Sequence, residues 1–140
     1  MAIADFDTKI AVVVRDDLAA WQRLNVCAFL MSGVTAAAGS QVIGASYEDA
    51  DGNRYLPLLV QPVLVFQAAG PKLQTVRERA ARREVAIALY TAGMFATGND
   101  ADNRAVVQSV AADELDIVGI ALRAPHRAAD AVLRGLPRHA

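Results

Sequence analysis

Five polar residues in two separated stretches could converge on one ligand. Arg23 and Asn25 sit at the start of an apolar segment, Leu24 to Leu30, while Thr91, Thr97 and Asn103 follow an apolar run that ends at Tyr90. An arginine grips a phosphate or carboxylate with two parallel hydrogen bonds but does not serve as a proton-transfer group. An amide set among Leu24, Val26, Cys27, Ala28, Phe29 and Leu30 is expected to be partly buried, and a buried amide demands partners. Asn25 therefore either ties the start of a helix to an adjacent loop or orients a ligand group or a water. Thr97 either joins the same pocket or caps a turn, and Asn99 or Asp100 caps the helix that follows. Arg23, Asn25, Thr91, Thr97 and Asn103 form the candidate ligand-binding set. Hydrolysis of an ester or amide there would also need a general base. Asp16 or Asp17 could fill that role, Asp17 being the one put forward, with Asn25 and backbone amides steadying an oxyanion; helix capping by either aspartate is the alternative.

The remaining reactive types read as structural. Cys27 has apolar neighbours and no nearby histidine, so a buried, inert thiol is expected. Asp49, Asp51 and Asn53 imitate the opening of a calcium loop, but Gly52 comes too early and Val60 stands where the bidentate glutamate belongs. A tight turn is predicted instead. His126 and His139 are remote in sequence from each other and from clustered carboxylates, so no metal site and no cofactor is predicted. Arg77, Arg79, Arg82 and Arg83 read as a solvated helix face, with Glu78 pairing Arg82.

Those residues are positioned by alternating strands and helices. Lys9 to Arg15 is an apolar, β-branched run of strand length, and Leu18 to Ala38 is helical, with Trp21, Leu24, Ala28, Met31 and Thr35 on its inner face and further apolar residues widening it. That helix is expected to be buried over most of its circumference and to end at Gly39. Val42 to Tyr47 and Arg54 to Leu59 flank turn residues as a short hairpin or loop. Further strands are expected over Gln61 to Gln67, Val85 to Tyr90 and Asp116 to Leu122, and further helices over Pro71 to Glu84, Ala101 to Ala112 and Pro125 to Leu136, after a short tail at residues 1–7. The alternation predicts a three-layer α/β/α sandwich around a mixed, mostly parallel sheet of about four strands. In such sheets ligands collect at the carboxyl ends of the strands, here at the end of the first one.

Order and spacing carry a resemblance. Asp16-Asp17-Leu18, the Pro62 to Gln67 strand, Ala92-Gly93 and Val118-Gly119-Ile120-Ala121 are similar to the peptidyl-tRNA hydrolase type II fold. More closely, Arg23-Leu24-Asn25, the Tyr47 to Gly52 stretch, Tyr90-Thr91, Phe95-Ala96-Thr97 and Asn103 resemble a bacterial family known only as a domain of unknown function, numbered two thousand, over Lys9 to Leu136. The hydrolase resemblance implies a lysine, a glutamine and a histidine on the first loop and helix, and an aspartate before the Ala-Gly. Here Arg23 or Leu24, Cys27 or Ala28, Leu30 and Thr91 fall at those places. The resemblance thus implies the fold without the catalytic set.

Composition bounds the rest. The 140 residues make one domain, with its core at about 8–136, and a chain of this length buries roughly 68–70% of its unfolded surface. Hydrophobic residues are 54%, and the mean hydropathy of +0.26 leaves spare apolar surface that suits a homodimer. A net charge of −1 gives no field to attract nucleic acid, so that partner is not expected. A single cysteine, with no signal peptide or membrane span, fits the cytoplasm. The reading is a small ligand-binding or regulatory module for an anionic or amide-bearing small molecule. An ester or amide hydrolase with a non-standard site is the alternative.

Overall fold

A computed structural model describes residues 6–140, so most of the expected tail at residues 1–7 lies outside the described residues. Ten regular elements follow in order: β1 (Thr8–Arg15), α1 (Ala20–Ala38), β2 (Tyr47–Glu48), β3 (Arg54–Tyr55), β4 (Val63–Ala68), α2 (Gly70–Arg82), β5 (Ile87–Thr91), α3 (Asp100–Gln108), β6 (Ile117–Pro125) and α4 (His126–Leu133). The central sheet runs β4-β1-β6-β5, and β2 and β3 form a separate two-stranded ladder. β1 lies inside the sheet and is buried on both faces from Ile10 to Val14, which is why its sequence is a continuous apolar run.

Helices cover both faces, as a three-layer sandwich requires. Ile10, Val12 and Val14 of β1 meet Val26, Leu30 and Val34 of α1 on one side. Ala11 and Val13, with Ile120 and Leu122 of β6, meet Leu73, Val76 and Ala80 of α2 and Val132 and Leu133 of α4 on the other. Gly119 of β6 lets α1 lie directly on the sheet, because a Cβ there would fall 2.4 Å from Val26 Cγ1.

Three expectations need correcting. The sheet is mixed but not mostly parallel: β1 pairs parallel with β4, whereas β6 is antiparallel to both β1 and β5. The cause is α3, which buries no residue completely and packs on the turn after β5 instead of crossing the sheet, so the chain re-enters from the same end and must run back. Second, α1 is not enclosed. Its buried line is Val26, Leu30 and Val34, while Trp21 and Leu24 are 62% and 73% exposed, because a four-stranded sheet offers cover on one side only. Third, the last helix stops at Leu133 rather than Leu136. Gly135, at φ 83°, turns the chain back so that the Gln67 amide donates to Pro137 O (3.1 Å) and the His139 amide to Val65 O (2.9 Å). That tail covers the outer edge of β4, which would otherwise present unpaired backbone groups. The expected Glu78 to Arg82 ion pair is not among those formed by the described residues; Arg79 instead donates to the carbonyls of Val132, in the last turn of α4, and of Arg134 just beyond it.

The Asp49 turn carries a pH dependence. Asp49 Oδ1 accepts from the amides of Asp51 and Asn53, and Oδ2 accepts from Asn53 Nδ2 and, at 2.7 Å, from the Tyr55 hydroxyl. Both oxygens are thereby committed to the turn, as the tight-turn reading requires. The Tyr55 hydroxyl foremost, with the Asn53 donors, holds this carboxyl down to about 2 from an ordinary 3.8. A depressed carboxylate stabilises the hairpin above its unfolded pKa and loses that effect as pH falls through its folded value. The Asn53 amide resonance is expected to hold steady down to about pH 4 and to move toward its open-chain position between there and about pH 2. A midpoint near 3.8 would refute the shared anchoring.

Candidate functional site

A cavity of about 890 Å³ opens between α1 and α3, with the end of β5 as its floor. Three residues of α1 one turn apart, Trp21, Asn25 and Phe29, form one wall. Spacings of four put them on a single stripe, adjacent to the buried Val26 and Leu30 line. Leu89 and Tyr90 of β5 and Met94 and Phe95 of the following 3-10 turn make the floor, and Thr97, Asn103 and Val107 belong to the opposite side.

Aromatic rings dominate one side of the groove. Trp21 and Phe95 lie edge to face with centroids 6.0 Å apart, Tyr90 and Phe95 are tilted at 5.2 Å, and Phe29 and Tyr90 meet edge to face at 5.9 Å. These offset contacts fix four rings as a continuous surface. Phe29 remains 54% exposed, so apolar area is left facing water inside a concavity.

The polar groups there are amides and hydroxyls. Asn25 is half-buried, and neither end of its amide has a hydrogen-bond partner among the described residues. The Thr97 hydroxyl donates to Met94 O (2.9 Å) and also touches the Asn103 amide, so one end of that amide is committed and the other is not. Asn99 caps α3, accepting from the Asp102 amide at 2.9 Å, as a cap reading of Asn99 requires. The charged groups of the lining, Asp100 and Arg104, pair with each other at 2.9 Å across one helical turn and are well exposed.

Of the five candidate binding residues, Asn25, Thr97 and Asn103 share this groove, and Arg23 and Thr91 do not line it. Arg23 is committed elsewhere: Nε donates to Leu18 O (3.0 Å), Nη2 to Asp16 O (2.8 Å), and Nη1 lies 3.2 Å from His139 Nε2. It ties α1 to the loop before it and to the carboxyl-terminal tail. Thr91 is buried at the end of β5, its hydroxyl has no partner among the described residues, and its amide faces the Met94 sulfur at 3.3 Å. Asp17 is likewise outside the groove. Arg15 Nε donates to it at 2.7 Å while Nη1 pairs with Asp116, and neither Asp16 nor Asp17 caps α1, whose cap position is Ala19. Burial lowers the Arg15 pKa, but its bonds to Asp17 and Asp116 outweigh this and hold it above its ordinary value. These contacts fill the carboxyl end of β1, so the groove sits beside the edge strand β5 and not at the first strand. The Cys27 thiol is half-buried, and desolvation pushes its pKa up, which makes it a poor nucleophile.

Sequence reasoning missed Trp21 and Phe29 as groove residues. Their signal was the lone amide Asn25 midway between two aromatics at helical spacing.

A second cavity of about 290 Å³ lies at the far end of α1, lined by Gly33, Ala37, Ala88 and Arg123, whose buried Nε has no partner among the described residues. No group of three or more His, Cys, Asp or Glu side chains suited to a metal ion occurs among the described residues. None of the described helices is long and apolar enough to cross a membrane.

Fold and groove define a small α/β protein with an aromatic and amide-lined concavity among the described residues. The family model described as DUF2000, protein of unknown function, matches residues 8–140, and the chain belongs to that family. It is similar to the solved structure of a protein of unknown function from Agrobacterium tumefaciens strain C58. The two are 46% identical with a TM-score of 0.93 over 96% of this chain and 99% of that one. No curated protein matches.

Proposed function

We propose that this protein is a small-molecule-binding module and that the groove between α1 and α3 is its binding site. One observation carries the reading: Asn25, an amide without a hydrogen-bond partner among the described residues, lies between Trp21 and Phe29 on a helical stripe lining an 890 Å³ concavity. Ligand sites are typically concave and mostly apolar, with a few oriented polar groups. The test is a thermal-shift panel of tRNA, nucleotides, amino-acid esters, acyl amides and small carboxylates. A ligand at a hundred times its Kd stabilises the native state by about 2.7 kcal/mol. For a chain of this length that is a rise on the order of 5–10 °C. The expected hit is lost in Phe29→Ala; a flat panel, or a hit indifferent to that change, counts against the groove.

A hydrolase with a peptidyl-tRNA hydrolase type II-like fold is the second reading. The order of the Asp16-Asp17, Ala92-Gly93 and Val118 to Ala121 motifs favours it, and Asn25 would serve there as oxyanion donor. Its difficulty is the base: Asp17 is held by Arg15, and the lining carboxylate, Asp100, is held by Arg104. Turnover of an aminoacyl ester that Asp100→Asn abolishes would make this reading the better one. We also propose a homodimer in the cytoplasm, supported by the apolar surface left exposed at Leu24, Leu56 and Leu58 and by the lone cysteine.

A further inference from the structure

We infer that the groove selects an uncharged, flat ring that carries a carboxamide or lactam edge, and that it discriminates against carboxylates and phosphates. The inference rests on the reading of the groove as a ligand site and adds the ligand's chemistry. Three independent features of the lining lead to it.

The first is charge. Asp100 and Arg104, the charged residues of the lining, neutralise each other at 2.9 Å. Arg23, the cation nearest in sequence to the α1 wall, is spent on the carbonyls of Asp16 and Leu18 and faces His139. The exposed Asp100 and Arg104 pair carries no net charge and offers an anion no net attraction, while an anion laid against the aromatic wall would lose part of its hydration without a dedicated cation to replace it. Any approach to Arg104 brings the anion equally close to the Asp100 carboxylate.

The second feature is the chemistry of the open polar groups. Asn25 offers both a carbonyl and an NH2, and the uncommitted end of the Asn103 amide adds a further hydrogen-bonding group. An amide is self-complementary to another amide edge, since each supplies one donor and one acceptor. A carboxylate, which only accepts, leaves the Asn25 carbonyl unmatched. Third, the rings of Trp21, Phe95, Tyr90 and Phe29 form a continuous aromatic wall beside those amides. A flat ring fits against such a wall in offset or edge-to-face contact.

Trp21 is the chain's single tryptophan and lines the groove, so its fluorescence reports on this site alone. Benzamide and benzoate have the same shape and differ in charge and in the amide donor. Saturable quenching by benzamide at a concentration at least tenfold below that required for benzoate is expected. Asn25→Ala is expected to weaken benzamide five- to tenfold and benzoate by a smaller factor, so that the preference for benzamide narrows. The loss for benzamide corresponds to about 1–1.4 kcal/mol, within the net range of a hydrogen bond. Because Asn25 has no hydrogen-bond partner among the described residues and alanine is the better helix former, the variant should melt no lower than the wild type, which separates lost binding from lost fold. Benzoate equal to or tighter than benzamide, or benzamide indifferent to Asn25→Ala, overturns the inference while leaving the groove as a ligand site. If neither compound nor toluene perturbs Trp21 saturably, the binding-site reading itself fails and the inference falls with it.

Discussion

Gly119→Ala is expected to lower the stability of the fold by about 2–3 kcal/mol, the upper part of the range for overpacking a well-filled core. The added methyl would stand 2.4 Å from Val26 Cγ1 and 2.9 Å from Leu30 Cδ1. Leu30 can rotate away, but Val26 is fully buried and β-branched, with one preferred rotamer in a helix. The strain therefore passes to the α1 backbone and to the whole face formed by Ile10, Val12 and Val14. Intrinsic preference argues the other way, because alanine in place of glycine normally stabilises by about 0.4–1 kcal/mol through the unfolded state. The sign of the change thus separates contact from propensity. Urea unfolding should show a lower midpoint at unchanged slope. Val26→Ala removes the colliding methyl, so the double variant should be more stable than the sum of the single effects by about 1–2 kcal/mol. Strict additivity would show that Gly119 is not there to admit α1.

The same contact explains which parts of the fold are legible in the sequence. β1 declares itself because an inner strand of a covered sheet has no polar face to show, and Lys9 to Arg15 has none. α2 shows its inner face through Leu73, Val76 and Ala80 against charged neighbours. α1 does not, being apolar on nearly every side, so periodicity favoured the stripe from Trp21 to Thr35 although the sheet takes Val26, Leu30 and Val34. Small residues decide it: Gly119 on β6 and Gly33 on α1, where a Cβ would lie 3.4 Å from Ala88 Cβ, set how α1 lies on the sheet. Strand direction was hidden for a different reason. Nothing in Asp100 to Gln108 states whether a nine-residue helix crosses a sheet or stays at one end of it. In the groove, Asn25, Thr97 and Asn103 were visible as polar residues in apolar or turn settings. Arg23 and Thr91 were visible for the same reason, yet Arg23 answers backbone carbonyls that no sequence pattern displays.

α3 is seated by a glycine as well, and Gly93→Ala is expected to disturb the groove more than the fold. A Cβ at Gly93 would lie 2.6 Å from Val106 Cγ1, and Gly93 is not among the positive-φ residues, so close approach and not backbone freedom is what the position requires. Val106 is only half-buried and α3 buries no residue completely, so the helix can yield by moving outward. The global cost should therefore be smaller than at Gly119, about 1 kcal/mol, at the lower end of the overpacking range. The outward movement separates Asn103 and Val107 on α3 from Trp21 and Phe29 on α1, and a binding surface displaced by a few tenths of an ångström loses hydrogen-bond geometry first. Binding of benzamide, read through Trp21, should weaken by tenfold or more, and amides of α3 should exchange faster while those of β1 do not. Val106→Ala deletes the opposing methyl and should restore binding in the double variant. Weakened binding that Val106→Ala fails to restore would mean that the turn after β5, not the seating of α3, sets the groove.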